Sequence, residues 1–353
     1  MKFLPLVLSA CLTATALAED APDAAKPSPT PTPTPTPTLR EAVDSLDESQ
    51  IQKAIDALEA NYLSPEALDN LSRQKALLEG LLLRLGTGAD FNQAGNATSK
   101  PIPFLAEILD GRIGYIRPGA MNAAALKQTD SALGNFADKS IPAVILDLRG
   151  IPDGTEFDIA ADFARRFCPK GKILFTIEKP NAKQERILTA DRESVFQGIL
   201  VVLTDADTSG AAEALAATLR ANSSGMIVGA KTAGGAVEFS EFPIGGGKTI
   251  RLAISRVSLP GSGPIFPTGV KPDIEISLSA ETQKKIFELT KEKGVSQFVF
   301  DTERPRMNEA ALVANTNPEI SSTAESEDDS EPLRDTVLQR AVDLVTAISF
   351  YKK

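Results

Sequence analysis

The sequence predicts an α/β fold in which a central sheet is covered by helices on both faces. Two runs of apolar residues, Ala143–Leu148 and Ile199–Leu203, are typical of strands that are buried on both sides. Stretches with helical spacing of apolar residues separate the predicted strands, as in layered α/β proteins. The 353 residues are 42% apolar and 24% charged, which is enough apolar material for a sizeable core.

The first 18 residues resemble an export signal. Residues 3–17 are apolar, and a small-x-small triplet at residues 16–18 has the form that signal peptidases read. We therefore expect cleavage after Ala18 and an exported protein of the periplasm or cell envelope. Residues 8–11 also fit a lipoprotein cleavage box, so anchoring at Cys11 is the alternative.

A tether and a helical hairpin are predicted next. Residues 19–38 contain the run PSPTPTPTPTPT at Pro27–Thr38, which predicts a polyproline-II spacer because proline fixes φ and lacks an N–H donor. Residues 39–86 carry apolar side chains at helical spacing, with a helix start at Ser64 and a stop at Gly86. We expect this hairpin to bury one face, and we expect a loop over residues 87–103.

The core is predicted over residues 104–293, where strands and helices alternate. The predicted strands are Arg112–Ile116, Ala143–Leu148, Lys172–Ile177, Ile199–Leu203, Met226–Val228 and Thr249–Val257. The predicted helices are Ala120–Phe136, Phe157–Phe167, Ala211–Ala221 and Glu281–Lys293. The core therefore combines a buried sheet with helices from both sides, a mixed α/β and α+β arrangement.

The C-terminal part is predicted to contain two different segments. Residues 301–333 are acidic and predict disorder. Residues 334–353 contain an amphipathic helix, Asp335–Phe350, whose apolar face packs on the protein's own core or on a second subunit. A homodimer is therefore one possible assembly.

Composition excludes several classes of site. The sequence contains no histidine, which removes Ser-His-Asp and Cys-His catalysis and every His-ligated metal site. The net charge of −10 argues against nucleic acid as a partner. After the leader only Cys168 remains, so no intramolecular disulfide is expected. We expect no metal, no cofactor and no transmembrane span.

Three turns follow predicted strands and are candidate sites. They are residues 147–154, residues 204–213 and the glycine-rich residues 229–235. Ligands of open α/β sheets bind beyond the carboxyl ends of the strands, and N–H groups at a helix start can face an oxyanion. Each turn also has a structural interpretation, because Ser and Thr before a helix are commonly N-caps and glycine is common in turns.

Five segments, in this order, resemble the C-terminal processing, or tail-specific, peptidase family of serine endopeptidases. They are Gly111–Arg117, Ile145–Arg149 with Pro152 and Gly154, Asp205–Glu213, Gly229–Gly234 and Gly269–Asp273. The hairpin at 39–86 is similar to the family's N-terminal helices. The resemblance implies a tail-specific-protease-like core, a crotonase-like or ClpP-like layered sheet with helices, plus the N-terminal hairpin and the C-terminal helix.

The family's mechanism is a Ser/Lys dyad, but the residues that would carry it are absent. The resemblance places the nucleophile at Gly210 and the lysine at Gly235, which are 25 positions apart, as the family expects. The assisting glutamine falls on Phe239. The oxyanion side falls on Gly154 and Ala211, and Asp153 replaces the first glycine of the family's pair. Glycine supplies neither a nucleophile nor a base.

The sequence therefore predicts a member of this family that has lost its chemistry. It would bind extended or unfolded peptides through Gly234, Ala236 and Phe239, or serve as a scaffold. The alternative is an active endopeptidase that uses Ser209 and Lys231 as a displaced pair. A purely structural envelope protein is a third hypothesis. Residues 87–110 are too few for the PDZ domain that many family members carry in this position.

Overall fold

The protein is described here by a computed structural model that covers residues 38–93, 102–151, 154, 156–222, 225–300 and 333–351. The chain divides into two units, residues 1–74 and residues 75–353. The predicted export signal, the tether apart from Thr38, and the predicted acidic segment apart from Leu333 lie outside the described residues.

Three helices make up the N-terminal region where a hairpin was predicted: α1 (Leu39–Asp44), α2 (Glu48–Asn61) and α3 (Asn70–Leu85). α1 and α2 each begin at a capping box, in which the side chains of Thr38 and Asp47 accept the N–H of the third helical residue. The predicted buried face is not found, because no side chain within these three helices is buried.

A six-stranded sheet forms the centre of the second unit, in the order β12-β8-β7-β4-β3-β2. Its strands are β2 (Leu105–Leu109), β3 (Ile113–Arg117), β4 (Ala143–Asp147), β7 (Ile199–Thr204), β8 (Met226–Gly229) and β12 (Ile274–Glu275). All neighbours are parallel except β2, which is antiparallel to β3. The carboxyl ends of β4, β7 and β8 therefore share one edge.

A second sheet is antiparallel and is built around the long strand β10 (Lys248–Leu259). Its other strands are β1 (Ala89–Gln93), β5 (Ile173–Lys179), β6 (Gln184–Thr189), β9 (Val237–Gly245) and β11 (Gly263–Pro264). β1 and β5 pair with successive parts of β10, and β9 forms a hairpin with it. This hairpin begins directly after the glycine-rich turn.

The largest apolar core lies between one face of the parallel sheet, the antiparallel sheet and three helices. These helices are α4 (Ala123–Asp138), α5 (Phe157–Ala164) and α6 (Gly210–Ala221). α6 is buried along nearly its whole length and contacts β5, β8 and β10. Its alanine-rich sequence permits this close approach to both sheets.

The opposite face of the parallel sheet is covered by the C-terminal helix α8 (Thr336–Tyr351). Val337, Leu338, Ala341, Val342 and Val345 form its buried stripe. The predicted amphipathic helix thus packs on the protein's own core. A further helix, α7 (Ala280–Lys293), contributes Ile286 and Phe287 to a small third cluster.

Six strands differ from the sequence prediction. β1 lies inside residues 87–103, so the predicted loop there is wrong. β2, β6, β9 and the two-residue strands β11 and β12 were not anticipated. β6 is exposed at five of its six residues, and every residue of β9 after Ser240 is exposed. Such strands carry no continuous apolar run, because pairing with β5 and β10 forms them rather than burial.

Candidate functional site

The candidate site lies at the shared carboxyl edge of β4 and β7. Beyond the last paired residues, the Leu148 N–H still donates to the Leu203 carbonyl at 3.0 Å. The turn from β7 into α6 is closed by Asp205, whose carboxylate accepts the Thr208 N–H and hydroxyl, each at 2.8 Å. This local geometry places residues 208–211 against the chain that follows β4.

Gly210 is the first residue of α6, at the predicted nucleophile position. It is buried and has a φ of +57°, in the left-handed region that favours glycine. A Cβ atom there would lie 2.4 Å from the Gly154 carbonyl oxygen and 2.7 Å from the Gly154 nitrogen. Neither separation is tolerated by real Cβ atoms, so the space that a side chain would need is occupied by backbone.

The two residues predicted on the oxyanion side contact each other. The Ala211 N–H donates to the Gly154 carbonyl at 2.8 Å. The Ser209 N–H donates to the Ile151 carbonyl at 3.2 Å, on the other side of Gly210. Hydrogen bonds from the helix start to the chain after β4 therefore bracket the nucleophile position.

Ser209 and Lys231, the predicted displaced pair, lie in contrasting environments. Ser209 is 4% exposed and stands at the N-cap position of α6 with extended backbone, although its hydroxyl makes no capping hydrogen bond. Lys231 is exposed. Ser209 thus stands at the expected N-cap position but lacks the side-chain hydrogen bond of an N-cap.

The glycine-rich turn after β8 is fastened to the protein's own backbone. Gly234 has a φ of +78°, and a Cβ there would lie 2.2 Å from the Pro267 carbonyl oxygen. Gly235, the predicted lysine position, is buried. Ala236 is fully buried, and its carbonyl accepts the Val257 N–H at 2.9 Å. The backbone that approaches Gly234 closely therefore belongs to this chain.

Glu213 holds this turn against α6. Its Oε1 atom accepts the Gly234 N–H at 2.8 Å and the Thr232 hydroxyl, and the Thr232 oxygen in turn accepts the Val270 N–H at 2.7 Å. Burial raises the pKa of Glu213, although these hydrogen bonds oppose the rise. Oε2 has no hydrogen-bond partner among the residues that the structure describes.

Sequence comparison covers this region. Residues 112–276 match the protein family described as Peptidase family S41. The core of this chain is therefore similar to peptidase family S41 over these residues. The resemblance inferred from five short segments is thus confirmed for the central part of the chain.

Two curated relatives of the S41 core carry C-terminal processing activity in their names. The carboxyl-terminal-processing protease of Synechocystis sp. is 29% identical over 227 residues, which are 62% of this chain and 52% of the relative. The carboxy-terminal processing protease CtpA of Bacillus subtilis is 28% identical over 173 residues, 49% of this chain and 37% of the relative. The chain thus spans about half, or less, of these relatives' lengths.

A solved structure supports the S41 fold. A candidate peptidase from Parabacteroides merdae superposes with a TM-score of 0.50 at 15% identity, covering 68% of this chain and 85% of that chain. This identity shows a common fold and nothing about activity. Together with the family match, it confirms the predicted mixed α/β class.

One S41 segment also anchors the C-terminal helix, which the sequence did not reveal. Arg149, in the Asp-Leu-Arg motif, is buried and binds Asp147 at 2.7 Å and Asp335 at 2.7 Å. Burial alone would raise the pKa of Asp147, but Arg149 and the Tyr115 hydroxyl hold it below its usual value. Asp335 also caps α8 through the Leu338 N–H at 2.9 Å. An isolated acidic residue before a helix was the available signal.

Phe239, which the sequence placed at the position of the assisting glutamine, lies on β9 and is half-buried. The Arg251 guanidinium stacks over its ring, 3.7 Å from the centroid. Over the ranges that the structure covers, β9 pairs with β10 alone. Across those same ranges no helix combines the length and apolar character needed to cross a membrane.

Proposed function

We propose that this protein is an S41-fold protein without peptidase activity that binds extended peptide segments. One observation carries the first half of the proposal. The nucleophile position is a glycine whose side-chain space is filled by the Gly154 backbone. Loss of a catalytic nucleophile costs several orders of magnitude in rate, and here the lysine position is a glycine as well.

The displaced Ser209/Lys231 pair is the second candidate, and the geometry disfavours it. A nucleophile must reach the substrate carbonyl and its base together. Ser209 is buried under the start of α6, whereas Lys231 is exposed. The hydroxyl is one residue away from the nucleophile position, and neighbouring side chains on a tight turn point in different directions.

The second half of the proposal rests on the β9 edge. β9 begins two residues after Gly235, and its outer edge has no partner strand among the described residues. Phe242 and Ile244 on this strand are 44% and 52% exposed. An open edge with apolar side chains can take up an extended peptide through backbone hydrogen bonds. Phe239 lies on the same strand and would contact the bound peptide. Gly234 and Ala236, in the turn that leads into β9, would hold the strand in position beneath it.

The proposal extends to location and assembly. The apolar leader and small-x-small triplet at residues 1–18 support export to the periplasm or cell envelope, with lipid anchoring at Cys11 as the alternative. The net charge of −10 supports a protein partner rather than nucleic acid. A homodimer remains compatible with the exposed apolar side chains of α2 and α3.

The loss of activity is tested with the full chain and β-casein as a disordered substrate. Parent, Ser209→Ala and Lys231→Ala proteins are incubated at high concentration for a long time. We expect no cleavage by any of the three. Cleavage by the parent that both substitutions abolish would establish the displaced pair and refute the proposal.

Peptide binding is tested by fluorescence anisotropy with a labelled, unstructured casein peptide. Phe242→Glu should weaken binding about tenfold or more, because it places a charge on the proposed edge. Ile187→Glu on β6, another exposed position of the same sheet at 57%, is the matched control and should bind like the parent. Equal binding by both variants, or none by the parent, would contradict a role for β9 and favour a structural protein.

A further inference from the structure

We infer that this protein occupies its own oxyanion position: the Gly154 carbonyl takes the N–H donor that an active S41 peptidase would offer to a substrate carbonyl. This goes beyond the loss of the dyad, because it concerns how the substrate carbonyl would be bound, whereas the dyad concerns how that carbonyl would be attacked. It also holds independently of whether peptides bind at β9.

The first argument is that the Ala211 N–H already has a hydrogen-bond acceptor. Ala211 is the second residue of α6, and the first N–H groups of a helix have no acceptor within the helix. Such a donor next to a nucleophile is the usual component of an oxyanion hole. Here it is satisfied by the Gly154 carbonyl at 2.8 Å, in the manner of a bound peptide.

The second argument is that hydrogen bonds hold the chain that follows β4 on both sides of Gly210. The Ser209 N–H donates to the Ile151 carbonyl at 3.2 Å, so contacts precede and follow the nucleophile position. The absence of a Cβ at Gly210 permits this approach, since the Gly154 oxygen lies 2.4 Å from where that atom would be. The glycine at position 210 and the close approach of Gly154 therefore depend on each other.

The third argument is that the start of this segment is fixed. Arg149, just before it, is clamped between Asp147 and Asp335 in the core. Gly150 turns the chain with a φ of +68°, and a Cβ there would meet the Ile102 side chain at 2.8 Å. The chain is thus fixed at Arg149 and Gly150 by these contacts.

This arrangement predicts that restoring the dyad does not restore activity. In a Gly210→Ser, Gly235→Lys variant, the new serine Cβ competes with Gly154, and the Ala211 donor stays engaged. A substrate carbonyl then finds no oxyanion donor, which alone costs about 10²–10³ in rate.

The test is amide hydrogen exchange by NMR on the full chain. We expect the Ala211 N–H to exchange about 100-fold or more slowly than in an unstructured peptide, because a tertiary hydrogen bond protects it. In Gly210→Ala the new methyl group competes with Gly154 for the same space and weakens the Ala211 hydrogen bond without abolishing it, so this exchange should accelerate about tenfold. Gly134→Ala in α4, where nothing lies within 4 Å of the new methyl group, is the matched control and should leave Ala211 unchanged.

Two outcomes would overturn the inference. One is an Ala211 N–H that exchanges at the unstructured rate in the parent protein. The other is labelling of the Gly210→Ser, Gly235→Lys variant by a fluorophosphonate probe, which needs an activated serine in an open site. If that variant does not fold, the exchange measurement on the parent still decides. Failure of peptide binding at β9 would leave Ala211 exchange unchanged, so the two proposals are separable.

Discussion

Position 210 combines two constraints on the residue that can occupy it. Its φ of +57° is costly for any residue with a Cβ, and its surroundings leave no room for one. A serine at this position would require the Gly154 backbone to move away. The glycine at position 210 and the position of Gly154 therefore depend on each other.

Gly210→Ala should destabilise the fold by about 2 kcal/mol or more, because left-handed strain and the Gly154 clash add. Gly134→Ala is the matched control. It lies in the helical interior of α4 with open space around it, and it should stabilise by about 0.5–1 kcal/mol. Urea unfolding of the three proteins measures both effects. A Gly210→Ala variant as stable as the parent would show that Gly154 is easily displaced.

Glu213 predicts a pH dependence of stability. Burial raises its pKa in the folded protein above 4.5, so its contribution is present below pH 4.5 and is lost as pH rises through the folded value. A glutamine at position 213 cannot ionise, so Glu213→Gln does not lose stability as the pH rises. Any other effect of this substitution on the free energy of unfolding is the same at every pH. Relative to the parent, Glu213→Gln should therefore gain up to about 1.4 kcal/mol per pH unit across that window.

Urea unfolding between pH 4 and pH 8 measures the Glu213 effect. Glu288→Gln, on the exposed face of α7, is the matched control and should follow the parent curve. Parallel curves for parent and Glu213→Gln would mean that Glu213 ionises in the folded protein as it does in the unfolded chain. The hydrogen bonds from Thr232 and Gly234 would then fully offset the effect of burial on the Glu213 carboxylate.

Among the elements, α8 determines whether the parallel sheet is buried on its second face. Five of its side chains pack against residues of β2, β3, β4, β7 and β8. The sheet strands are continuous apolar runs, so an uncovered face would expose them to water. The C-terminal helix is therefore part of the S41-like core of this protein rather than an appendage.

Leu338→Ala should reduce the free energy of unfolding by about 2–4 kcal/mol, since Leu338 is fully buried at the sheet. Phe350→Ala on the same helix is the matched control. Phe350 is 70% exposed, and its removal should change stability by less than about 0.5 kcal/mol. Chemical denaturation followed by circular dichroism distinguishes the two. Equal effects would mean that α8 is not seated on the sheet in solution.

At the scale of the whole molecule, a single buried ion pair joins sequence-distant parts. Arg149 follows β4, whereas Asp335 precedes α8, and the Asp335 N–H also donates to the Phe298 carbonyl at 2.9 Å. The chain therefore returns to the same point after residue 300. Without the Asp335 carboxylate, the buried Arg149 guanidinium would keep only one of its two carboxylate partners, Asp147.

Asp335→Asn should destabilise the protein by about 3 kcal/mol, because it leaves buried Arg149 with one carboxylate. Asp110→Asn removes the ion pair between Asp110 and Arg112, both about half exposed, and should cost less than about 1 kcal/mol. Thermal unfolding of parent and variants measures the contrast. Similar small shifts would show that water reaches Arg149.

Local patterns predicted much of this molecule. The continuous apolar runs of β4 and β7 gave the buried sheet, and α6 and α8 were recognisable from the spacing of their apolar residues. The family resemblance predicted that Gly210 and Gly235 occupy the nucleophile and lysine positions. These features are readable because burial on both faces, or along one helical stripe, leaves a periodic trace in the sequence.

Other features had no such trace. β6 and β9 are exposed strands whose existence depends on pairing with distant partners, and Asp335 acts through a residue 186 positions away. The close approach of Gly154 to Gly210 likewise depends on two turns that are far apart in sequence.

The amino-acid sequence alone determined that the positions predicted for the nucleophile and the lysine are glycines, since chemical identity needs no coordinates. Only the tertiary structure decided that the space beside Gly210 is filled by the Gly154 backbone. Packing brings together the ends of strands that are far apart in sequence, and it places each buried donor beside an acceptor.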